Sequence, residues 1–144
     1  MTFQFSLQRI VDLKIRQKSL AEWHLSKALG QLAAGEVALE ELEREKKRVQ
    51  QRMSKQLDKI SVLQLQQLEY YLFALNKRIE QKRQEINEAQ SQVFQKKDAL
   101  KGKMIDEKVW TQARERARVL YRTEELRKEQ NTLDDLATSR FKDS

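Results

Sequence analysis

Apolar residues recur along the chain with the 3.5-residue spacing that keeps two helices facing each other over many turns. From Leu7, in alternate steps of four and three residues, ten of the fourteen positions up to Met53 are apolar. From Leu65, in steps of three and four, nine of the eleven positions up to Leu100 are apolar. The two series predict two long helices, each with one narrow apolar seam.

A helix start separates the two series. Ser61 and Gln64 have the spacing of a capping box, in which each side chain bonds the backbone N–H of the other residue. We therefore expect helix one over about 5–58, a turn at about 59–61 and helix two over about 62–138. So short a connection makes the helices antiparallel neighbours in one register, with Leu42 near Ile79, Leu32 near Ala89 and Val11 near Trp110.

The second predicted helix is the longer one, at roughly 115 Å against roughly 80 Å at 1.5 Å per residue. Its last part, about 118–138, should therefore extend beyond helix one with its apolar residues uncovered. The expected fold is all-α: a two-helix antiparallel coiled-coil hairpin with a C-terminal single-helix overhang, forming a single domain over 1–144.

The amino-acid composition excludes most classes of catalytic and metal-binding site. The chain has no proline, three glycines and 35% charged residues, which favours long exposed helices over a globule. It has no cysteine and a single histidine, His24, so no common zinc ligand set can form, and nucleotide-loop and hydrolase motifs are absent. The opening residues lack a secretory apolar core, and no apolar run reaches 18 residues. We expect a cytoplasmic protein that is no enzyme and has no cofactor or metal.

Charge leaves two alternatives open. Residues 44–59 contain seven Lys or Arg against two acids, a basic block that could bind nucleic acid or an anionic membrane surface, although mixed charge is also the ordinary solvated face of a coiled coil. Separately, polar or small residues interrupt the seam, so two chains could instead pair as a structural homodimer; these are Lys14, Lys18, Gly35 and Lys46.

Three segments together resemble the flagellar FliJ family over essentially the whole length. The opening FQFSLQRIVDLKIRQKSLAEWHLSKAL is similar to the Phe-x-Phe-x-Leu start of that family, and LEYYLFALNKRIEQKRQEI resembles its middle. The ending LYRTEELRKEQNTLDDLATSRF resembles the family's Tyr, Glu-Gln, Leu-Asp-Glu and terminal Phe pattern, with Asp135 where Glu is usual.

The resemblance implies a stalk similar to the gamma subunit of rotary F-type ATPases. Such a protein occupies the pore of the hexameric flagellar export ATPase, touches the membrane export gate and has also been described as an export chaperone. It implies a monomer when free, with no nucleic acid partner, in the cytoplasm and peripheral at the cytoplasmic face of the cell membrane.

Two contact surfaces follow as hypotheses. The overhang, helped by the first turns of helix one, should enter the ATPase ring, and the residues proposed to contact it are Arg114, Arg118, Leu120, Tyr121, Arg122, Leu126, Glu129, Gln130 and Leu133. The early part of helix two should meet the export gate, because aromatic and Arg side chains there form a partly exposed stripe beside the seam. The residues of this second surface are Tyr70, Tyr71, Leu75, Arg78 and Lys82.

Overall fold

Two helices make up nearly all of the structure. The computed structural model describes residues 3–143, and the side chains of residues 3–141. Within that range the elements are α1 over Gln8–Lys55 and α2 over Val62–Asp143, with no strand. The predicted all-α hairpin of antiparallel helices is confirmed. Met1, Thr2 and Ser144, which the expected single domain includes, lie outside the described residues.

The turn between the helices is longer than the sequence indicated and occupies residues 56–61. The backbone N–H groups of Lys59 and Ile60 both donate to the carbonyl of Gln56, which closes the chain on itself. The predicted capping box is present: Gln64 N donates to Ser61 Oγ at 3.2 Å, and Ser61 N donates to Gln64 Oε1 at 3.4 Å. These bonds satisfy N–H groups that the first turn of α2 leaves without helical partners.

Both helices differ from their expected outer bounds. Helix α1 begins at Gln8 rather than near residue 5, because the residues before it run non-helically toward Tyr121, whose ring lies 5.6 Å from that of Phe3. Helix α2 continues to Asp143, since no Gly or Pro interrupts its last turns.

The described residues divide into two compact units. One unit is Ala21–Ala99 and includes the turn. Its register is the expected one, since a Cβ added at Gly35 would lie 3.3 Å from Ile86. Its buried side chains are all seam residues: Ala21, Ala28, Val49, Leu75, Ile79, Ile86 and Val93.

The other unit comprises the residues up to Leu20 and those from Leu100 onward. Its fully buried side chain is Val11, again a seam residue. The two seam lysines here turn their ammonium groups to acids of α2, as Lys14 Nζ lies 2.7 Å from Asp106 and Lys18 Nζ 3.8 Å from Glu107. Long apolar stems with charged ends let lysine occupy a seam position that is not fully closed.

Candidate functional site

The predicted ATPase-contact residues fall on α2, in the unit that contains Leu100 and later residues, and they divide at Glu125. Up to Glu125 some side chains are half-buried against α1 or the N-terminal segment, including Arg114 and Tyr121. From Leu126 to Phe141 every side chain is exposed, and Leu126 and Leu133 each keep 60% of their surface accessible. The expected overhang is therefore present, and its uncovered stretch begins at Leu126.

Tyr121 differs from the other apolar residues of the expected overhang because it has a partner. Its ring packs at a tilt against Phe3, and its hydroxyl is buried with no hydrogen-bond partner among the described residues. The expectation that the apolar residues from 118 onward lack partners within the hairpin is wrong at this position. A ring contact between residues so far apart in sequence cannot be read from helix periodicity.

A shallow groove lies where the N-terminal segment meets α2. It is lined by Phe3 and Phe5 on one side and by Arg9, Arg114 and Arg118 on the other. Arg118 also pairs with Glu115 at 3.6 Å. The predicted surface did not include the two phenylalanines or Arg9. The signal for them was the alternation of phenylalanine and polar residues ahead of the first helical seam position.

The predicted gate-contact residues lie on α2 in the unit Ala21–Ala99, and they divide into exposed and covered members. Tyr70 is 77% exposed, and Tyr71 and Arg78 are also exposed. Leu75 is only 2% exposed, so it belongs to the core and supports the surface from beneath instead of contacting a partner. Lys82 is half-buried and its Nζ lies 2.8 Å from Glu85 Oε2.

Phe73 is an exposed aromatic residue beside this surface that the sequence reasoning did not select. The ammonium of Lys77 lies 5.6 Å from the centre of its ring, within the range of a cation–π contact. Its position, three residues after Tyr70 and outside the seam, was the available signal. The exposed aromatic surface therefore centres on Tyr70, with Phe73 on one side of it and Tyr71 on the other, and about 160° around the helix separates Phe73 from Tyr71.

Tyr71 is held against α1 by a hydrogen bond. Its hydroxyl donates to Glu45 Oε1 at 3.2 Å. The pKa of the Tyr71 hydroxyl is raised from its ordinary value, first by partial removal from water and then by the hydrogen bond to Glu45 and its negative charge, while Arg78 opposes the shift. Tyr71 is therefore neutral at physiological pH, and its ring has a fixed orientation beside the seam.

The structure offers no assembled chemical centre in the part of the chain it describes. Among the described residues, no three His, Cys, Asp or Glu side chains are grouped closely enough to hold a metal ion. His24 lies with its ring edge against Trp23, whose face also accepts Lys27 at 5.4 Å. These three residues form a surface cluster on α1.

Comparison with known proteins assigns the chain to a family. The family model described as "Flagellar FliJ protein" matches residues 3–144. The chain belongs to the flagellar FliJ family. Membership makes it a flagellar export-related protein and agrees with the resemblance in its opening, middle and ending segments. None of the curated proteins matches this FliJ-family chain, and none of the solved structures does. No helix in the described range is long and apolar enough to cross a membrane.

Proposed function

We propose that this FliJ-family chain is the non-enzymatic central stalk of the flagellar export ATPase, joining the hexameric ring to the membrane export gate. The observation that carries the proposal is the exposed end of α2. From Leu126 onward the described helix keeps Leu126, Leu133 and Leu136 exposed at spacings of seven and three residues, so they lie along one side of the helix as an apolar stripe suited to burial against another protein. A monomeric hairpin at the cytoplasmic face of the membrane, with a further role as an export chaperone, completes the proposed assignment.

Charge on the exposed end suits a contact inside a ring. Basic and acidic side chains are interspersed there, with Arg127 and Lys128 beside Glu129, and Asp134 and Asp135 before Arg140. A helix surface that carries both positive and negative side chains forms weak, salt-screened ion pairs with several different loops of the ATPase ring. No single orientation of the helix inside the ring is then strongly favoured. The leucines stabilise the contact by burying apolar surface, and this effect is non-directional, so it tolerates several orientations of the helix.

The proposed gate contact rests on the aromatic surface of the other unit. Tyr70 and Phe73 expose large rings, and Arg78 is exposed one to two turns further along the same helix. Tyrosine and arginine are enriched among the residues that dominate protein interfaces. Leu75 in the core and the bond from Tyr71 to Glu45 hold this surface rigid, so little order has to be gained on binding.

Deleting residues 126–144 tests the ring contact. Because the side chains of 126–141 are all exposed, the hairpin should melt at nearly the same temperature while binding to the purified export ATPase, and stimulation of its ATP hydrolysis, are lost. The deletion leaves Tyr121 on Phe3, so packing of the N-terminal segment is retained. In the full chain, Leu126→Ser/Leu133→Ser should weaken binding, and Leu20→Ser, also exposed, should not. Full affinity after deletion would contradict the proposal.

Substitution of Tyr71 tests the gate contact. Tyr71→Ala should keep the helical content and nearly the same melting temperature, since the side chain is exposed and loses one surface hydrogen bond, but weaken binding to the gate protein about tenfold or more. The control is Phe94→Ala, which removes an aromatic ring from α2 that is 73% exposed, against 42% for Tyr71. Equal loss in both variants, or loss in neither, would contradict the assignment.

A further inference from the structure

We infer that the turn end of the hairpin is a docking surface for an anionic membrane. The surface, here named the turn tip, consists of residues 52–64. Three aliphatic side chains at its end are unusually exposed: Leu57 at 64%, Val62 at 74% and Leu63 at 66%. None of the ATPase or gate residues proposed above belongs to the turn tip, so this inference does not depend on those contacts.

The exposure of these side chains is built into the local backbone. Leu57 lies in the turn, and Val62 and Leu63 begin the first turn of α2, which the mutual bonds of Ser61 and Gln64 hold in place. Ile60 instead turns inward and lines a shallow pocket with Leu68 and Arg52. The turn tip therefore keeps one aliphatic residue inside and presents three to the outside in a fixed arrangement.

Positive charge lies immediately behind the aliphatic end. Residues 44–59 contain seven Lys or Arg and two acids. Arg44 and Arg48 pair with Glu40 and Glu45. The remaining exposed cations form no ion pair with any residue that the structure describes; they are Lys47, Arg52, Lys55 and Lys59. Residues 62–68 carry no charge.

This combination matches the chemistry of an anionic bilayer surface. Aliphatic side chains bury into the boundary between headgroups and acyl chains while lysine and arginine remain at the phosphates. Nucleic acid is a weaker match, because residues 44–64 contain no aromatic side chain to stack on bases, and phosphate contacts make no use of exposed leucines. Unpaired positive charge facing outward is complementary to anionic lipid.

Sedimentation with vesicles tests the aliphatic part. The full chain should bind vesicles of phosphatidylcholine mixed with phosphatidylglycerol and not vesicles of phosphatidylcholine alone. Leu57→Ser/Leu63→Ser should reduce binding by roughly tenfold, since two buried side chains are lost. The matched control, Leu126→Ser/Leu133→Ser, removes two leucines of similar exposure and should bind as the unaltered chain does. No binding to anionic vesicles, or equal loss in both variants, would overturn the inference.

A charge reversal tests the basic part. Lys55→Glu/Lys59→Glu should reduce vesicle binding by roughly tenfold or more, because attraction to anionic lipid acts within a Debye length of the surface. Lys101→Glu/Lys103→Glu changes the net charge by the same amount at exposed positions outside the turn tip. Equal effects of the two pairs would show that only net charge matters and would overturn the assignment.

Depth-sensitive labelling then locates the contact. Because the chain has no cysteine, Leu63→Cys and Leu133→Cys each give a single site for an environment-sensitive fluorophore. On anionic vesicles, emission should shift to the blue at position 63 and stay unchanged at position 133. The opposite pattern would overturn the inference. So would tight binding of duplex DNA that Leu57→Ser/Leu63→Ser leaves unaffected, combined with no shift at position 63.

Discussion

At the scale of single residues, the seam shows how a thin core accepts polar groups. Lysines occupy positions that leucine would fill more completely, and their ammonium groups reach acids at the edge, as Lys14 does with Asp106. Partly exposed ion pairs of this kind contribute little stability. Their stems still cover apolar neighbours, so the seam stays closed without a continuous row of large apolar side chains.

Tyr71 gives the first prediction at this scale. Its pKa should lie above the ordinary value of a tyrosine in a spectroscopic titration of a variant that keeps Tyr71 alone, because Tyr71 is partly removed from water and donates to Glu45. Glu45→Gln removes the negative charge while keeping an acceptor at the same place. The substitution should lower the Tyr71 pKa toward its ordinary value but not abolish the shift, since desolvation remains its largest cause. An unchanged pKa would show that Glu45 does not act on the hydroxyl.

The raised pKa of Tyr71 determines whether the folded state gains or loses stability as the pH rises. A pKa raised in the folded state means that the unfolded chain loses the phenolic proton first, at about pH 10. The contribution of Tyr71 is fully present below that pH and is lost as pH rises through the folded-state pKa. The side chain is exposed, so the effect on unfolding is small and is best read as the difference between the chain and its Tyr71→Phe variant.

At the scale of elements, the glycines within the helices allow the effect of helix propensity on stability to be distinguished from the effect of packing between the helices. Alanine is preferred to glycine in a helix interior by about 1 kcal/mol. A Cβ at Gly30 or Gly102 would have no neighbour within 4 Å, whereas at Gly35 it would lie 3.3 Å from Ile86 Cγ1. Gly30→Ala and Gly102→Ala should each raise the free energy of unfolding by about 1 kcal/mol, and Gly35→Ala should raise it less or lower it.

Thermal and urea melts of the three glycine variants check this prediction. For a chain of this size, 1 kcal/mol corresponds to roughly 3 °C in Tm. A further test introduces Gly35→Ala in the Ile86→Ala background, where Cγ1 is absent, and there the gain from alanine should return. Equal stabilisation at all three positions would show that α1 and α2 approach less closely at Gly35 than the structure has them.

At the same scale, sequence patterns predicted the buried seam positions and the start of the second helix. The alternating three- and four-residue spacing selected positions that include all the buried side chains of residues 3–141, and the Ser61 and Gln64 spacing selected the start of α2. The start of α1 was missed because Phe3 packs on Tyr121, a contact between residues far apart in sequence. Leu75 was placed in a contact surface although its seam position already required burial. Exposed aromatic residues such as Phe73 follow no period, so only the structure identified them.

At the scale of the whole molecule, the apolar seam of each helix is covered either by the other helix of the same chain or by a second copy of the chain. Within each unit the apolar seam of α1 is covered by that of α2, and the small residues Gly35, Ala21 and Ala28 allow close approach. Two chains pairing through the seams would have to separate these contacts first. Among the exposed leucines that could join two copies are those of the exposed end, where charged residues separate Leu126 from Leu133.

We therefore expect a monomer in solution. Sedimentation equilibrium at micromolar concentration should return the mass of one chain, 17.2 kDa, and the value should not rise with concentration. Sedimentation equilibrium reports mass independently of shape, which suits a long helical protein. A mass twice as large that persisted on dilution would favour the homodimeric coiled coil over the stalk. If Leu126→Ser/Leu133→Ser then restored the single-chain mass, the exposed end would be the self-association surface. Its leucines would then be buried between two copies of the chain and would not be free to contact the ATPase.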